Sequence, residues 1–123
     1  EHYNWYPNIE LRPGKQPYGG QPYFISEYGG IWWNPEKAGS SWGYGETPQT
    51  EEEVVARYCG LTSALLRSKK VCAFCYTQFT DVEQECNGIY YYDRSMKFSP
   101  EGFEKIRQAN LQIAAIEEDA ASG

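Results

Sequence analysis

The chain has little of what marks several common functional classes. No apolar run approaches the roughly 20 residues that a membrane-spanning helix needs. No group of lysines or arginines is larger than the pair Lys69-Lys70, and the net charge is −6. Because phosphate binding needs a concentration of basic side chains, we expect no nucleic-acid partner. The short apolar runs likewise lead us to expect no membrane partner.

Metal ligands are also scarce, since the single histidine is His2 and there are 4 cysteines. The spacing Cys72-x-x-Cys75 is one that zinc sites and redox motifs use. These two residues, however, lie in an apolar segment that we interpret as a strand, where side chains three positions apart point to opposite faces. We therefore expect no metal and no cofactor. We expect mostly buried free thiols instead, with Cys72, Cys75 and Phe74 in the core, which favours a reducing, cytoplasmic compartment.

Aromatic side chains are abundant by contrast, at 16% of the residues, with 11 tyrosines and 4 tryptophans. Tyrosine and tryptophan combine a large apolar face with a polar group. Such side chains stack on sugar rings, but they also fill cores and interfaces. Composition alone leaves both interpretations open.

The first half of the chain predicts a strand followed by a helix. Residues 22–26 are aromatic and β-branched and predict a short strand. A loop over residues 29–49 follows, and loops of this length are usually functional. A capping box from Thr50 to Glu53 then begins a helix over residues 51–67. The apolar face of this helix comprises Val54, Tyr58, Leu61 and Leu65.

The second half repeats this order. A strand is predicted over residues 71–79, then a loop over 80–98 with a turn at Asn87-Gly88. Ser99-Pro100 begins a last helix, which we expect to continue to about Glu118. Its apolar positions are Phe103, Ile106, Leu111 and Ile113. Alternating strands and helices indicate an α/β fold with a parallel sheet, and two strands are too few for a stable sheet. We therefore expect a piece of a longer protein.

Three segments carry a resemblance to a known family. Residues 21–30 are QPYFISEYGG, residues 75–90 are CYTQFTDVEQECNGIY, and residues 2–6 are HYNWY. They resemble, respectively, the seventh strand, the eighth strand with its loop, and the end of the sixth strand in the catalytic barrel of family 2 glycoside hydrolases, the β-galactosidases and β-glucuronidases. The resemblance covers residues 1–116. It implies the last two βα units of a (β/α)8 TIM barrel over residues 1–119, with a frayed tail at 120–123.

The resemblance also implies a catalytic residue. In that family the glutamate of the Ser-Glu-(Tyr/Phe)-Gly motif is the nucleophile of a retaining mechanism, and here it is Glu27. Glu27 follows the first predicted strand, at the edge where barrel active sites lie. The family's acid/base glutamate stands in an Asn-Glu pair after the fourth strand, and this sequence contains no Asn-Glu pair. We therefore expect a part of a glycoside hydrolase that is inactive alone.

Further residues are implied to bind the sugar. Tyr3 matches a family tyrosine if one residue is missing, and could then hydrogen-bond and aim the nucleophile; a gapless alignment places His2 there instead, and we prefer Tyr3. Asp81 and Glu83 follow the second strand and are expected to bind sugar or to order the loop. For Glu83, as for Glu85, a solvated loop charge is an equal alternative.

The tryptophans of the long loop have two interpretations as well. Trp32, Trp33 and Trp42 either wall the sugar site or pack the loop onto the helices. The family often has a tryptophan on its eighth strand whose ring forms the floor of the sugar site, and this sequence has none there. We expect Tyr76 or a loop tryptophan to replace it.

The expected partners are a carbohydrate substrate, the remainder of the barrel and further copies of the chain. Open sheet edges with apolar strands recruit other chains, so we expect a homo-oligomer. An alternative function remains open, a non-catalytic carbohydrate-binding or assembly domain. Such a binder would tolerate Glu27→Gln, whereas a hydrolase would lose turnover and keep its affinity for sugar.

Overall fold

The computed structural model describes residues 19–37 and 47–121, which form a two-stranded parallel sheet with helices. The elements in chain order are β1 (Tyr23–Gly29), a 3₁₀ turn (Pro35–Lys37), α1 (Glu51–Leu66), β2 (Val71–Thr77), α2 (Pro100–Asn110) and α3 (Ala115–Ala121). The mixed α/β class and the parallel pairing are as predicted. A sheet of two strands is too small to display a barrel, so the barrel stays a prediction.

The two strands pair over their whole length, with Tyr23 opposite Val71 and Gly29 opposite Thr77. The register shifts between Ile25 and Tyr28, where two residues of β1 face one residue of β2, as in a β-bulge. β1 is longer than predicted and includes Glu27, since pairing resumes at Tyr28 beyond this shift. β2 ends at Thr77, earlier than predicted.

The end of β2 has a local explanation in its hydrogen bonds. The amide of Gln78 donates to the carbonyl of Asn87 (3.3 Å) and not to β1. At this residue the chain therefore stops pairing with β1 and bonds instead to the loop that follows β2. The carbonyl of Thr77, the last residue of β2, still accepts from the amide of Gly30 (2.9 Å), which closes the ladder between the strands.

The first helix begins as the sequence predicts. The amide of Glu53 donates to the hydroxyl of Thr50 (3.2 Å), the expected cap. The carboxylate of Glu53 accepts from the amide of Gln49 (2.7 Å), one residue before the partner that a standard capping box would use. On the predicted apolar face Val54, Tyr58 and Leu65 are buried and Leu61 is half-buried.

The prediction of one last helix up to Glu118 is wrong, because the helix ends at Asn110 and α3 begins after four residues, at Ala115. Side chains replace the helical hydrogen bonds at this break. The amide of the Gln112 side chain donates to the carbonyl of Ala109 (3.0 Å), and the carboxylate of Glu117 accepts from the amide of Ala114 (2.8 Å).

The apolar positions assigned to that stretch are correspondingly exposed. Leu111 is 58% exposed and Ile113 is 69% exposed, so neither is a core residue of a continuous helix. α3 continues to Ala121, into the stretch that we expected to fray. No helix in the described ranges is both long enough and apolar enough to cross a bilayer.

The core lies on one face of the sheet, under the helices. Its cluster of buried residues is Ile31, Trp33, Val54, Val55, Tyr58, Phe98, Ile106 and Ala109. On β2, Phe74 and Tyr76 pack against Tyr28, which in turn contacts α1. Because side chains alternate along a strand, Ala73 and Cys75 point to the opposite face, and both are exposed. We call that opposite face of β1 and β2 the open face.

The prediction of mostly buried thiols is therefore wrong for half of them. Cys72 and Cys75 are exposed and Phe74 is half-buried, while Cys86 is buried and Cys59 is half-buried. The open face has no covering element among the described residues, and this exposes Cys75. No third strand joins either outer edge of the sheet within the described ranges. Self-association through those edges stays a prediction.

Candidate functional site

The carboxyl ends of β1 and β2 lie at the same edge of the sheet, because the strands are parallel. In open and barrel-shaped α/β folds, ligands bind at this edge. We call it the rim, and it comprises Glu27, residues 28–37 and residues 77–98. The residues predicted to bind or react with a sugar belong to the rim or lie directly before it, except Tyr3 and Trp42, which lie outside the described residues.

Glu27 is an exposed acid of the rim that lies within a strand. It lies within the register shift of β1, where Ser26 and Glu27 together face Cys75, and its carboxylate has no hydrogen-bond or ion-pair partner among the described residues. The next residue, Tyr28, points toward α1, so Glu27 points to the open face. Its oxygens are thus available to a ligand that approaches from that side.

Tyr28 fixes the strand directly behind Glu27. Its side chain is 6% exposed, and its hydroxyl shares a hydrogen bond of 2.9 Å with the hydroxyl of Thr62 in α1. The edges of two rings, Phe74 at 5.5 Å and Tyr76 at 5.4 Å between centroids, complete the contact. Burial raises the pKa of Tyr28 above its ordinary value, and the hydrogen bond with Thr62 opposes that rise. Tyr28 stays neutral at physiological pH and serves as an anchor.

Tyr76, the predicted floor of a sugar site, lies on the helix side of the sheet. Its ring packs on that of Tyr58 with centroids 4.8 Å apart, and burial raises the pKa of its hydroxyl. A side chain at Gly29 would meet this ring at 2.2 Å, which explains a glycine there in addition to its φ of +93°. Tyr76 and Glu27 therefore lie on opposite faces of the sheet, and the structure does not bring them together.

Asp81, predicted to bind sugar or order the loop, is buried in an ion pair. One oxygen of its carboxylate accepts from the ammonium group of Lys97 (2.7 Å) and from the amide of Gly88 (2.8 Å). Lys97 also donates to the carbonyl of Cys86 (3.0 Å) and lies 5.9 Å from the ring centre of Tyr91. The side chains of Lys97 and Asp81 are 1% and 10% exposed. The pair orders the loop between residues 77 and 98.

Lys97 is the residue of this region that sequence reasoning missed. It stands between Met96 and Phe98, and a lysine in such a position is ordinarily solvated. The apolar residues on either side of it were the one feature of the sequence that could have indicated a buried lysine. The partner, Asp81, lies 16 residues away, and only the folded loop brings the two together.

The predicted turn at Asn87-Gly88 is wrong, and the glycine has another purpose. The turns of this loop include Glu83-Gln84 and Tyr92-Asp93. A side chain at Gly88 would lie 2.2 Å from the amide nitrogen of Asp81, so the chain needs glycine for close backbone approach. Asn87 instead accepts from the side-chain amide of Gln78 (2.7 Å).

The remaining predicted residues divide between core and surface. Trp33 is buried and stacks on Phe98, with ring centroids 5.2 Å apart, as the packing interpretation requires. Trp32 is half-buried. Glu83 is exposed, with a φ of 51°, in the turn that the hydrogen bonds between Val82 and Glu85 close. Of the predicted acids, Glu27 and Glu83 therefore have exposed side chains and Asp81 does not.

The described residues include no cluster of metal ligands. Within residues 19–37 and 47–121, no group of three or more histidine, cysteine, aspartate or glutamate side chains could hold a metal ion.

Comparison with known proteins adds no identification. No protein-family model matches the chain, and no curated protein matches it.

Proposed function

We propose that the chain is the last part of the catalytic barrel of a retaining glycoside hydrolase resembling the β-galactosidases of family 2. Glu27 is the nucleophile in this proposal. The single observation that carries it is an exposed carboxylate without a described partner, at the carboxyl end of a parallel strand, within the sequence Ser-Glu-Tyr-Gly. The motifs at residues 2–6 and 75–90 support the same family.

The chemistry needs two carboxyl groups about 5–5.5 Å apart. Glu27 attacks the anomeric carbon and displaces the leaving oxygen, which takes a proton from the second group. Water, deprotonated by that second group, then cleaves the ester between the sugar and Glu27. The second group belongs to the remainder of the barrel. An exposed carboxylate on a rigid strand suits the first role, because its distance to the sugar is fixed by the sheet.

The chain alone should not turn over glycosides. Proton donation to the leaving group contributes about 10²–10⁴-fold to such reactions, and that donor is missing. Orientation of the substrate contributes about 7–11 kcal/mol in well-ordered sites, and in this proposal the strands that would orient it belong to the remainder of the barrel. An activated aryl glycoside, which needs little protonation, should therefore give no burst of aryl release with the isolated chain.

A fluorinated mechanism-based glycoside tests the role of Glu27 in the full-length enzyme. We expect a covalent sugar on Glu27, located by mass spectrometry of peptides, and a loss of turnover of about 10⁴-fold or more in Glu27→Gln. Glu36→Gln is the matched control, since Glu36 is also an exposed acid of the rim and has no predicted role in the site. It should label and turn over normally. A label on another acid, or an active Glu27→Gln enzyme, refutes the proposal.

The second candidate is a carbohydrate-binding domain without chemistry. Exposed aromatic rings on the rim favour it, with Tyr92 at 73% and Phe79 at 66% exposure. Sugar rings stack on such faces. In that case Tyr92→Ala or Phe79→Ala would remove sugar binding while Glu27→Gln would change nothing. Isothermal titration with oligosaccharides separates the two candidates.

A further inference from the structure

We propose that Tyr28 and Thr62 are positioning residues for Glu27, and that the buried hydrogen bond between them sets the direction in which β1 presents the carboxylate. This inference rests on the proposed nucleophilic role of Glu27. It deepens that role by naming what holds the nucleophile in place.

The surroundings of Glu27 explain why its carboxylate needs positioning residues. Its carboxylate has no partner among the described residues, so its direction must come from the backbone. That backbone is irregular on both sides. Glu27 itself lies within a register shift, and Gly29 and Gly30 follow with φ values of +93° and +61°. Between these two irregular stretches stands Tyr28, whose side chain is held on all sides.

The anchor of Tyr28 lies at the far end of its ring. Its hydroxyl meets the hydroxyl of Thr62 at 2.9 Å, and Thr62 is fully buried at 0% exposure. Thr62 lies four residues from the end of α1, whose position the core fixes. A rotation of β1 that would swing Glu27 must therefore also pull the Tyr28 hydroxyl away from α1.

The hydrogen bond, and not packing alone, sets this position. The Tyr28 hydroxyl is buried beside Thr62 and Tyr58, and a buried hydroxyl left unpaired is strongly unfavourable. A threonine in a helix ordinarily bonds back to the preceding turn, whereas Thr62 reaches out of the helix to Tyr28. Without this bond, Tyr28 loses its tie to Thr62, and the peptide that it shares with Glu27 is free to shift.

Three substitutions in the full-length enzyme separate the hydroxyl from the volume of the side chain. Thr62→Val keeps the volume and removes the hydroxyl. Thr62→Ser keeps the hydroxyl and removes a methyl group. Tyr28→Phe removes the same bond from the other side. We expect Thr62→Val and Tyr28→Phe to lower kcat about 10- to 100-fold with KM nearly unchanged, and to slow covalent labelling of Glu27.

Thr62→Ser should keep kcat close to that of the unmodified enzyme, although the lost methyl group leaves a small cavity in the core. The double variant Tyr28→Phe/Thr62→Val should be no slower than either single variant, because both remove one bond. Leu65→Val is a control for general destabilisation, since Leu65 is buried one turn further along α1. It should lower thermal stability and leave kcat unchanged.

Equal loss of kcat in Thr62→Ser and Thr62→Val would overturn the inference, as would full kcat in both Thr62→Val and Tyr28→Phe. If Thr62→Val does not fold, Tyr28→Phe alone decides, because it keeps the ring and its contacts. Failure of the proposed function looks different. An active Glu27→Gln enzyme removes both claims, whereas an inactive Glu27→Gln with full kcat in both Thr62→Val and Tyr28→Phe removes the positioning role alone.

Discussion

Two carboxylates stand near the carboxyl ends of neighbouring parallel strands, and their surroundings could hardly differ more. Asp81 is buried, and one oxygen accepts from Lys97 at 2.7 Å and from the amide of Gly88 at 2.8 Å. Glu27 is exposed on the open face and has no partner among the described residues. A carboxylate that is paired and buried holds a loop together, whereas an unpaired and exposed one has its oxygens free for water or a ligand. A place at the rim therefore does not by itself define a role.

The strongest way to break this comparison is to remove the partner of Asp81. In Lys97→Met the carboxylate of Asp81 stays buried without its counter-charge, and the carbonyl of Cys86 loses a donor. We expect the free energy of unfolding to fall by about 3–5 kcal/mol. Urea unfolding of the chain, followed by tryptophan fluorescence, measures the change.

The double variant Asp81→Asn/Lys97→Met is the control, because it removes both charges together. It should recover part of the loss, since no uncompensated charge remains. A loss below about 1 kcal/mol in Lys97→Met would place this ion pair among the surface pairs of small effect. The contrast between Asp81 and Glu27 would then fail.

The backbone that surrounds Asp81 should be nearly as sensitive. A Cβ at residue 88 would lie 2.2 Å from the amide nitrogen of Asp81 and 2.3 Å from the carbonyl carbon of Thr80. We expect Gly88→Ala to lower the free energy of unfolding by about 1–3 kcal/mol, because backbone atoms must shift. Gly102→Ala is the matched control.

In that control the nearest atom, at 2.9 Å, is an oxygen of the Glu51 side chain, which must shift within its bonds to Ser99. Alanine favours the helix over glycine by up to about 1 kcal/mol, which offsets part of this cost. Gly102→Ala should therefore lose less than Gly88→Ala in the same urea experiment. A larger loss in Gly102→Ala than in Gly88→Ala would contradict the close approach at Gly88.

Local patterns predicted the parts of this fold that depend on near neighbours. The order of strands and helices, the cap at Thr50 and the cap at Ser99 all follow from residues within four positions of each other. The place of Glu27 at the rim follows from the parallel order of the strands. These features are determined by chain geometry over short distances, so a single sequence is enough.

The features that could not be predicted depend on distant partners. Lys97 and Asp81 meet only in the folded loop, and Gln112, in the break after Asn110, donates to the hydroxyl of Ser63 in α1 (3.0 Å). Cys75 looks apolar enough for a core, yet its exposure depends on what covers the open face, and no described element does. Composition and periodicity carry no information on such pairs.

A smaller effect is expected where the two helices join. The Ser99 hydroxyl accepts from the amide of Gly102 (3.1 Å) and also bonds the carboxylate of Glu51, at the start of α1. Ser99→Ala should lower the free energy of unfolding by about 1–2 kcal/mol, toward the upper end for a cap. Thr50→Ala removes a cap without a bond to a second helix and should lose less, as thermal and urea unfolding would show. Equal losses would mean that the bond to Glu51 adds nothing.

The smallest effect on stability should come from Glu27 itself. Its carboxylate is exposed and touches no described charge or donor, so Glu27→Gln should change the free energy of unfolding by less than about 0.5 kcal/mol. Asp81→Asn, which makes the same chemical change at a buried and paired site, should lose several times more in the same urea experiment. A loss above about 1 kcal/mol in Glu27→Gln would show that the fold needs this carboxylate. A neutral result, together with loss of turnover in the full-length enzyme, is the pattern of a side chain that serves the reaction and not the fold, because an interaction kept for the transition state contributes nothing to the resting protein.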